Sequence, residues 1–339
     1  MSVIPPTLPT NVDMTAMPAS PIPEQVLEEL VKRPDYLPID SHGMIGNMKT
    51  CCLVGTEGSI DWLCFPQFNS GSMFGRILDC EKGGSFSVHA LSFIKSKQHY
   101  WPDTNILITR FISKTGIGEL VDFMPAGSPK QNMCFGNYLI RKVRCIHGTM
   151  DFRMMCCPAF NYARDMHNLT LMGQHSKIAH FQSDSANMFL YSSRPSLNRI
   201  LSKKNNTIDV TGMDSITGDG VECCFTIEED DSVTFLLASE EEPLSPHCEL
   251  HLDEFADDLM HHTLDFWHDW LKNCTYKGRW REQVHRSALA LKLLTFDKTG
   301  AIIAAPTTSL PEGIGGVRNW DYRFTWIRDA SFTLYSFMR

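Results

Sequence analysis

Short runs of apolar and β-branched residues dominate the chain between about residue 36 and residue 240. Gly, Asn, Asp and Pro separate these runs, and several of them alternate between apolar and polar positions, as a strand with one solvated face does. No helical period interrupts them, which predicts a large antiparallel β-sandwich. The predicted strands are 51–54 and 60–65 (joined by a turn at 55–58), 86–90, 106–111, 119–124, 138–146, 151–157, 177–181, 221–227 and 233–238.

Beyond about residue 250 the apolar residues recur at the spacing of a helix. Residues 252–271 predict an amphipathic helix of about five turns, and a second helix is predicted at 280–294. An extended run at 301–306 and a glycine-rich loop at 307–316 precede a third helix, which begins near 326–329. Its apolar side ends at Met338 without a helix-stop residue. We therefore expect a fragment, a β domain followed by the opening of a larger helical domain, whose truncated helices expose Trp267, Trp270, Trp280 and Leu291.

Composition narrows the class of protein. The chain has 339 residues, a mass of 38.4 kDa and a hydrophobic content of 43%, which suits about two globular domains. A formal net charge of −8 argues against a nucleic-acid or anionic-membrane partner, because both require a basic face. The N-terminal residues lack the basic and apolar segments of a signal peptide. We interpret residues 1–35 as a disordered leader.

The cysteine pattern indicates a reducing compartment. The sequence has 12 Cys, three adjacent pairs of them and no pair at CxxC spacing. Neighbouring residues on a strand point to opposite faces of the sheet, so an adjacent pair does not share a partner surface. We expect reduced thiols in a cytoplasmic protein, with neither a disulfide framework nor a zinc site.

The segment 318–329 is the strongest candidate for a functional site. It contains two Trp, one Tyr, three Arg and two Asp. Aromatic rings stack on the apolar faces of a sugar, and Arg and Asp take its hydroxyls through charge-assisted hydrogen bonds. The alternative interpretation is an ion-pair network that pins a loop to a helix N-terminus. The pattern alone leaves both open for its charged residues, Arg318, Asp321, Arg323 and Asp329.

Proton transfer is disfavoured at this segment. A glycosidase needs two carboxylates that flank the scissile bond, and only Asp321 and Asp329 lie within the aromatic cluster. Neighbouring Arg residues lower the pKa of a carboxyl group, whereas a general acid needs a raised pKa. The segment therefore predicts ligand contacts. The glycines at 313–316 lack the Lys of a P-loop, and the sequence has no Gly-x-Ser-x-Gly nucleophile motif.

Several long motifs resemble glycoside hydrolase family 15, and more narrowly its glucoamylase/trehalase-like branch. Three of them lie at the C-terminal end, GAIIAAPTTSLPE at 300–312, GGVRNWDYR at 315–323 and WIRDASFTL at 326–334. The motifs GSIDWLC at 58–64 and DFMP at 122–125 resemble the trehalase-like N-terminal domain of the same branch. The resemblance extends from about residue 36 to the end of the chain.

The resemblance implies an organisation and an activity. Residues 36–248 would form the N-terminal β-sandwich, 249–278 a helical linker, and 279–339 the first helices of an (α/α)6 barrel, truncated within the catalytic domain. The implied reaction is the inverting hydrolysis of a terminal α-glucosidic bond, in trehalose or in an α-glucan. We expect no cofactor-binding or metal-binding residues in this chain, and the sequence leaves any metal dependence of the reaction open. Similar enzymes hold the non-reducing glucose with the equivalents of Trp326, Arg328 and Asp329, while Trp320 and Asp321 shape the same pocket.

The expected partner is thus an α-glucoside, with no nucleic acid or membrane and an undetermined oligomeric state. The resemblance also implies that both catalytic groups, the general acid and the general base, are glutamates on later helices. We expect them beyond Arg339, so that this chain contains no catalytic residue and is inactive alone. The alternative is a non-catalytic β-sandwich protein that binds carbohydrate or serves as a scaffold.

Overall fold

The computed structural model describes residues 36–127, 136–200, 218–240 and 243–338. The leader predicted at 1–35 lies outside them. The described residues form fifteen strands. In chain order they are β1 (His42–Gly46), β2 (Cys51–Gly55), β3 (Ser59–Cys64), β4 (Ser72–Phe74), β5 (Ser85–Ala90), β6 (Lys95–Tyr100), β7 (Leu107–Ile112), β8 (Gly116–Phe123), β9 (Tyr138–Cys157), β10 (His167–Met172), β11 (Ile178–Ser183), β12 (Asn187–Ser192), β13 (Asn198–Ile200), β14 (Gly220–Glu228) and β15 (Ser232–Ser239).

The strands form two antiparallel layers that share one long strand. The N-terminal half of β9 pairs with β8 and β15, and its C-terminal half pairs with β5 and β14. Strands β1 to β3 extend the first layer, which contains β5, and β10 to β12 extend the second layer, which contains β15. The predicted strands 138–146 and 151–157 are therefore one 20-residue strand that passes from one layer to the other. The predicted antiparallel β-sandwich is confirmed.

Aromatic side chains fill the space between the layers. Phe111 on β7 meets Phe152 on β9 edge to face, with ring centroids 5.9 Å apart. Phe152 stacks on Phe225 of β14 at 5.8 Å, and Phe225 meets Phe235 of β15 at 5.7 Å. Of these four residues, Phe225 alone keeps part of its surface exposed. Burial of the other rings contributes to holding the two sheets together.

One ion pair is completely buried between the layers. The guanidinium of Arg141 on β9 donates from Nε to the Asp122 carboxylate at 2.8 Å, and both side chains are 0% exposed. Arg141 also donates to the backbone carbonyls of Gly58 and Phe86. The guanidinium therefore ties β8 and β9 to the turn between β2 and β3 and to β5. Full hydrogen bonding is what makes a buried charge of this kind tolerable.

The turn at 55–58 forms as predicted, and its last residue depends on glycine. Gly58 donates to the Gly55 carbonyl at 2.9 Å and has a φ of +80°, in the left-handed region that glycine adopts most readily. A Cβ at this position would collide with the Val88 carbonyl oxygen. After this turn Trp62 of β3 pairs with Leu53 of β2 and Ile60 pairs with Val54, so that Asp61 lies at an irregularity in the pairing.

Five helices accompany the strands among the described residues. They are α1 (Phe160–Ala163), α2 (Pro246–Leu250), α3 (Leu252–Leu271), α4 (Arg281–Leu293) and α5 (Ile327–Phe337). The predicted helices at 252–271, 280–294 and from 326–329 correspond to α3, α4 and α5. The helix α3 packs Leu252, Phe255 and Leu259 against the outer face of the second layer, where Ile140 and Leu236 lie.

A further apolar cluster, separate from the sandwich core and from the contact of α3 with the second layer, joins α3 and α4 to the first layer. It contains Trp267 and Leu271 of α3, Leu289 and Leu293 of α4, and Cys51 of β2. The expectation that Trp267 is exposed is wrong, because the side chain is 0% exposed within this cluster. Trp270 and Leu291 are partly buried, and Trp280, at 52% exposed, is the one residue of the four that meets the expectation.

Candidate sugar-binding segment

Residues 303–309 and 320–325 run antiparallel and form a narrow two-stranded arm. Ala305 donates to the Tyr322 carbonyl at 2.9 Å, and Ser309 donates to the Trp320 carbonyl at 2.8 Å. Bridges between Ile303 and Thr325 and between Thr308 and Asp321 set the register. The predicted extended run at 301–306 overlaps the first strand of this arm, which continues to residue 309 into the predicted loop. The candidate sugar residues lie on the second strand and just beyond it.

The β-sandwich holds the base of the arm at two points. Trp62 of β3 is 0% exposed, and its indole Nε1 donates to the Pro306 carbonyl at 2.8 Å. Arg323 donates from Nη1 to the Ser70 carbonyl at 2.7 Å and approaches the Cys64 sulfur at 3.3 Å. Both contacts link residues more than two hundred positions apart in sequence, so the sandwich determines where the candidate segment lies.

Arg323 and Asp321 form a tight ion pair on the arm. Nε and Nη2 of Arg323 reach the two carboxylate oxygens of Asp321 at 3.0 and 2.8 Å. The hydrogen bonds from Arg323, with burial acting in the opposite direction, lower the pKa of Asp321. Asp321 is therefore an ionised partner of Arg323, as the sequence argument against a general acid predicts for a carboxyl group beside Arg.

A strained turn of the sandwich also meets this ion pair. Asn161, Tyr162 and Ala163 of α1 all have positive φ values of 50–61°, which costs about 1–2 kcal/mol for each non-glycine residue. The Tyr162 hydroxyl lies near the Cys64 thiol, and the Arg323 guanidinium lies 5.8 Å from the Tyr162 ring centroid. Burial raises the pKa of Tyr162 to about 12, so the phenol stays protonated at neutral pH.

The tip of the arm has a second ion pair in a more exposed position. Glu312 accepts from the Arg318 guanidinium at 2.8 Å and from the Trp320 indole Nε1 at 3.3 Å. The side chains of Arg318 and Glu312 are 73% and 47% exposed, and Trp320 is 46% exposed. The Trp320 ring is therefore oriented by the tip loop and remains partly open to solvent.

The remaining candidates lie at the start of α5. Trp326 immediately precedes the helix, meets Tyr322 edge to face at 5.3 Å, and directs its indole Nε1 to the Asp321 carbonyl at 3.5 Å. Arg328 lies 5.9 Å from the Trp326 ring centroid and pairs with Asp329 at 3.1 Å. These two side chains are 67% and 42% exposed, so their polar atoms remain accessible.

The structure thus divides the five predicted residues into two groups. Trp326, Arg328 and Asp329 lie together at the N-terminus of α5, with Arg328 and Asp329 accessible to a ligand. The Asp321 carboxylate is engaged by Arg323, and Trp320 lies at the tip beside Glu312. Sequence reasoning gives no individual role to Tyr322 or Tyr162. The position of Tyr322 between two candidate residues could have indicated its contact with Trp326.

Within the described residues no group of three or more His, Cys, Asp or Glu side chains is placed to hold a metal ion. No helix in the described part of the chain is long and apolar enough to cross a membrane. Buried cysteines such as Cys51, Cys52 and Cys64 are free thiols. Burial raises the pKa of the Cys51 and Cys64 thiols, which leaves them unreactive.

Two protein-family models match separate segments of the chain. The model described as trehalase-like, N-terminal matches residues 31–196, and the model described as glycosyl hydrolases family 15 matches residues 278–339. A solved family 81 glycoside hydrolase from Clostridium thermocellum covers 64% of this chain and 23% of its own, at 12% identity and a TM-score of 0.23, a similarity too low to support an argument.

Curated relatives agree with the two family models. A trehalase of Thermoplasma volcanium is 36% identical over 304 residues, which cover 88% of this chain and 44% of the relative. A trehalase of Mycolicibacterium smegmatis is 32% identical over 321 residues, covering 89% and 45%. A trehalase of Thermoplasma acidophilum is 35% identical over 295 residues, covering 83% and 44%. The chain spans less than half the length of these relatives.

The two matched segments include the sandwich strands β1 to β12 and the arm with α4 and α5. Their order is the one expected from the motifs at 58–64 and 300–334. The chain therefore belongs to glycoside hydrolase family 15, in the trehalase-like group that has this N-terminal β domain.

Proposed function

We propose that this chain provides the glucose-holding part of a hydrolase that acts on terminal α-glucosidic bonds, with trehalose as the favoured substrate. The observation that carries the proposal is the cluster of Trp326, Arg328 and Asp329 at the start of α5, in which the Arg328–Asp329 pair is solvent-accessible. The relatives that match the chain are named trehalases, which favours trehalose over maltose and longer glucans.

The proposed contacts follow from the chemistry of the side chains. The indole ring of Trp326 offers a flat apolar face to the C–H groups of a pyranose. Arg328 donates to sugar oxygens and Asp329 accepts from hydroxyls, so that together they recognise a pair of neighbouring hydroxyl groups. Trp320 and Asp321 border the same pocket in this proposal. Asp321 acts there mainly by fixing Arg323, because its carboxylate is already bonded to that guanidinium.

The proposed reaction inverts the anomeric configuration. A protonated glutamate gives its proton to the leaving oxygen, and an ionised glutamate on the opposite side activates water. We place both glutamates outside this chain, so the 339 residues alone are proposed to bind glucosides without hydrolysing them. Loss of one such group costs about 10²–10⁴-fold in rate, and loss of both leaves no acid–base pathway.

The proposal includes an organisation and a location. Residues 36–248 form the N-terminal β domain, 249–278 the helical linker, and 279–339 the first part of an (α/α)6 catalytic domain. The free thiols of the buried cysteines are compatible with the reducing environment of a cytoplasmic protein.

The test compares Arg328→Ala and Asp329→Ala in a longer protein that contains this chain together with both catalytic glutamates. Each variant should lower kcat/KM for trehalose by about tenfold or more, equivalent to ~1.4 kcal/mol of lost transition-state binding. Arg318→Ala is the matched control, because Arg318 forms an ion pair in the same segment but at the tip. Near-normal kinetics in both test variants contradict the proposed contacts. Saccharide binding without any turnover in that longer protein favours the non-catalytic alternative.

A further inference from the structure

A cavity of about 570 Å³ lies between the first three strands of the sandwich and the outer half of the arm. It involves none of the residues 326–329. Its sandwich side includes Tyr36, His42, Asp61 and Arg76, and its arm side includes Leu310 and Asn319. Cavities of about 300–1,000 Å³ are typical of small-molecule sites, and this one has room for a disaccharide.

The sandwich side provides a buried and preorganised polar group. The Asp61 carboxylate accepts from the Ser59 hydroxyl at 2.6 Å and from His42 Nε2 at 3.1 Å, and Arg76 Nε lies 3.9 Å away. The side chains of His42 and Asp61 are 2% and 6% exposed. The charges of Asp61 and Arg76 offset each other, so the wall suits an uncharged polar ligand better than a phosphate or a metal ion.

The arm side adds uncharged hydrogen-bonding groups. Thr307, Thr308, Ser309 and Asn319 line the cavity, and each offers a hydroxyl or amide that both donates and accepts. This strand of the arm also contacts the candidate segment, since the Ser309 hydroxyl accepts from the Trp320 amide at 2.8 Å. A ligand in the cavity would therefore contact one strand of the arm, while Trp320 and Asp321 lie on the other strand.

The mouth of the cavity concentrates exposed apolar side chains. Tyr36, Ile39, Leu78 and Leu310 are 54%, 59%, 53% and 71% exposed, and all four line this one cavity. A cavity with apolar side chains at its mouth and uncharged polar groups on both walls matches a molecule with apolar ring faces and a hydroxylated edge. A pyranose has this distribution, and the Tyr36 ring offers a surface on which it can stack.

We propose that this cavity is a second saccharide site, which binds a neutral pyranose-containing sugar through Tyr36, Asn319 and the Asp61–Arg76 wall. The site takes the ligand class of the proposed function but uses none of the residues assigned to it.

Calorimetric titration of the 339-residue chain with trehalose and with maltose tests the proposal. The titration uses an Asp329→Ala background, which removes the principal contact of the proposed glucose site. Adding Tyr36→Ala or Asn319→Ala should weaken the remaining binding about fivefold, the factor that corresponds to ~1 kcal/mol. Tyr335→Ala is the matched control, because Tyr335 is 53% exposed on α5 and does not line the cavity. Sorbitol, which has hydroxyls but no ring, should not compete.

The outcomes separate the two sites. Saccharide binding that persists in Asp329→Ala and falls with both cavity substitutions supports the second site, whatever the fate of the proposed function. Equal affinity in the wild-type and Asp329→Ala chains contradicts the proposed glucose site at the Trp326 cluster and leaves the cavity proposal standing. Absence of binding in the Asp329→Ala background, or binding that neither Tyr36→Ala nor Asn319→Ala weakens, overturns the cavity proposal.

Discussion

Replacing Arg323 with methionine tests whether the sandwich fixes the candidate segment. The Arg323 side chain is 10% exposed, and its guanidinium bonds both oxygens of Asp321 and donates to the Ser70 carbonyl at 2.7 Å. Methionine retains the apolar stem of the side chain and removes all of these bonds. Each hydrogen bond to a charged group contributes about 1.5–3 kcal/mol, but the contributions do not add. Asp321 is 37% exposed and regains water, so we expect a net loss of ~2–3 kcal/mol.

Amide hydrogen exchange measures this loss where it should occur. The amides of Ala305, Ser309 and Tyr322 hold the two strands of the arm together. Loss of ~2–3 kcal/mol should speed their exchange by about 30- to 150-fold if the arm opens locally. The amides of β9, in the centre of the sandwich, should be unchanged. Circular dichroism of the sandwich should also be unchanged, which separates release of the arm from general unfolding.

Arg318→Met is the matched control for this measurement. Arg318 makes an ion pair with Glu312 at 2.8 Å on the same arm, but its side chain is 73% exposed. Exposed ion pairs contribute about 0–1 kcal/mol, so exchange at the base of the arm should change by less than about fivefold. Equal exchange rates in the two variants refute the reasoning, because burial of the Arg323 contacts would then contribute nothing to the position of the arm.

Three further predictions concern the sandwich. The Asp61 hydrogen bond and charge raise the pKa of His42 against the opposing effect of burial. His42→Gln should therefore destabilise the chain most below about pH 6.5, the unfolded-state pKa, and least as the pH rises through the folded-state value. A destabilisation that grows between pH 6 and pH 9 contradicts this sign. Arg141→Met leaves a buried carboxylate without its cation and should cost about 3–5 kcal/mol in urea unfolding; a cost below about 1 kcal/mol is incompatible with it. Gly58→Ala should lower the melting temperature more than Gly300→Ala, since both glycines have positive φ but a Cβ at Gly300 meets nothing within 4 Å; equal shifts would show that the collision with Val88 is relieved at no cost.

Strands with clear apolar runs could be predicted from sequence, and strands without them could not. Residues 51–54, 86–90 and 233–238 become β2, β5 and β15 because each carries side chains that must be buried on at least one face. The strand β6 has the sequence KSKQHY and, among the described residues, pairs with β7 alone. Its ladder partner is the adjacent strand β7, and its own residues are mostly polar, so the segment contains no apolar run that would indicate a strand.

Sequence alone leaves two interpretations of the segment 318–329 open, and the structure shows that each of them suits a different part of the segment. The ion-pair interpretation describes Arg323 and Asp321, whose charges are joined and partly buried against Ser70. The sugar-site interpretation remains the better one for Arg328 and Asp329, whose charges are exposed. Sequence spacing could not separate these roles, because burial of Arg323 depends on residues of the sandwich about 250 positions away.

This dependence predicts that the β-sandwich affects the candidate site at the start of α5. A two-stranded arm is marginally stable by itself in water, and the arm described here is held by Trp62 at Pro306 and by Arg323 at Ser70. Both anchors lie at its base, on the side of the candidate residues Trp326, Arg328 and Asp329. A ligand that needs these side chains at fixed separations gains affinity from a scaffold that has already met the entropic cost of ordering them. On this reasoning, release of Arg323 should weaken glucoside binding even though its own guanidinium is bonded within the protein.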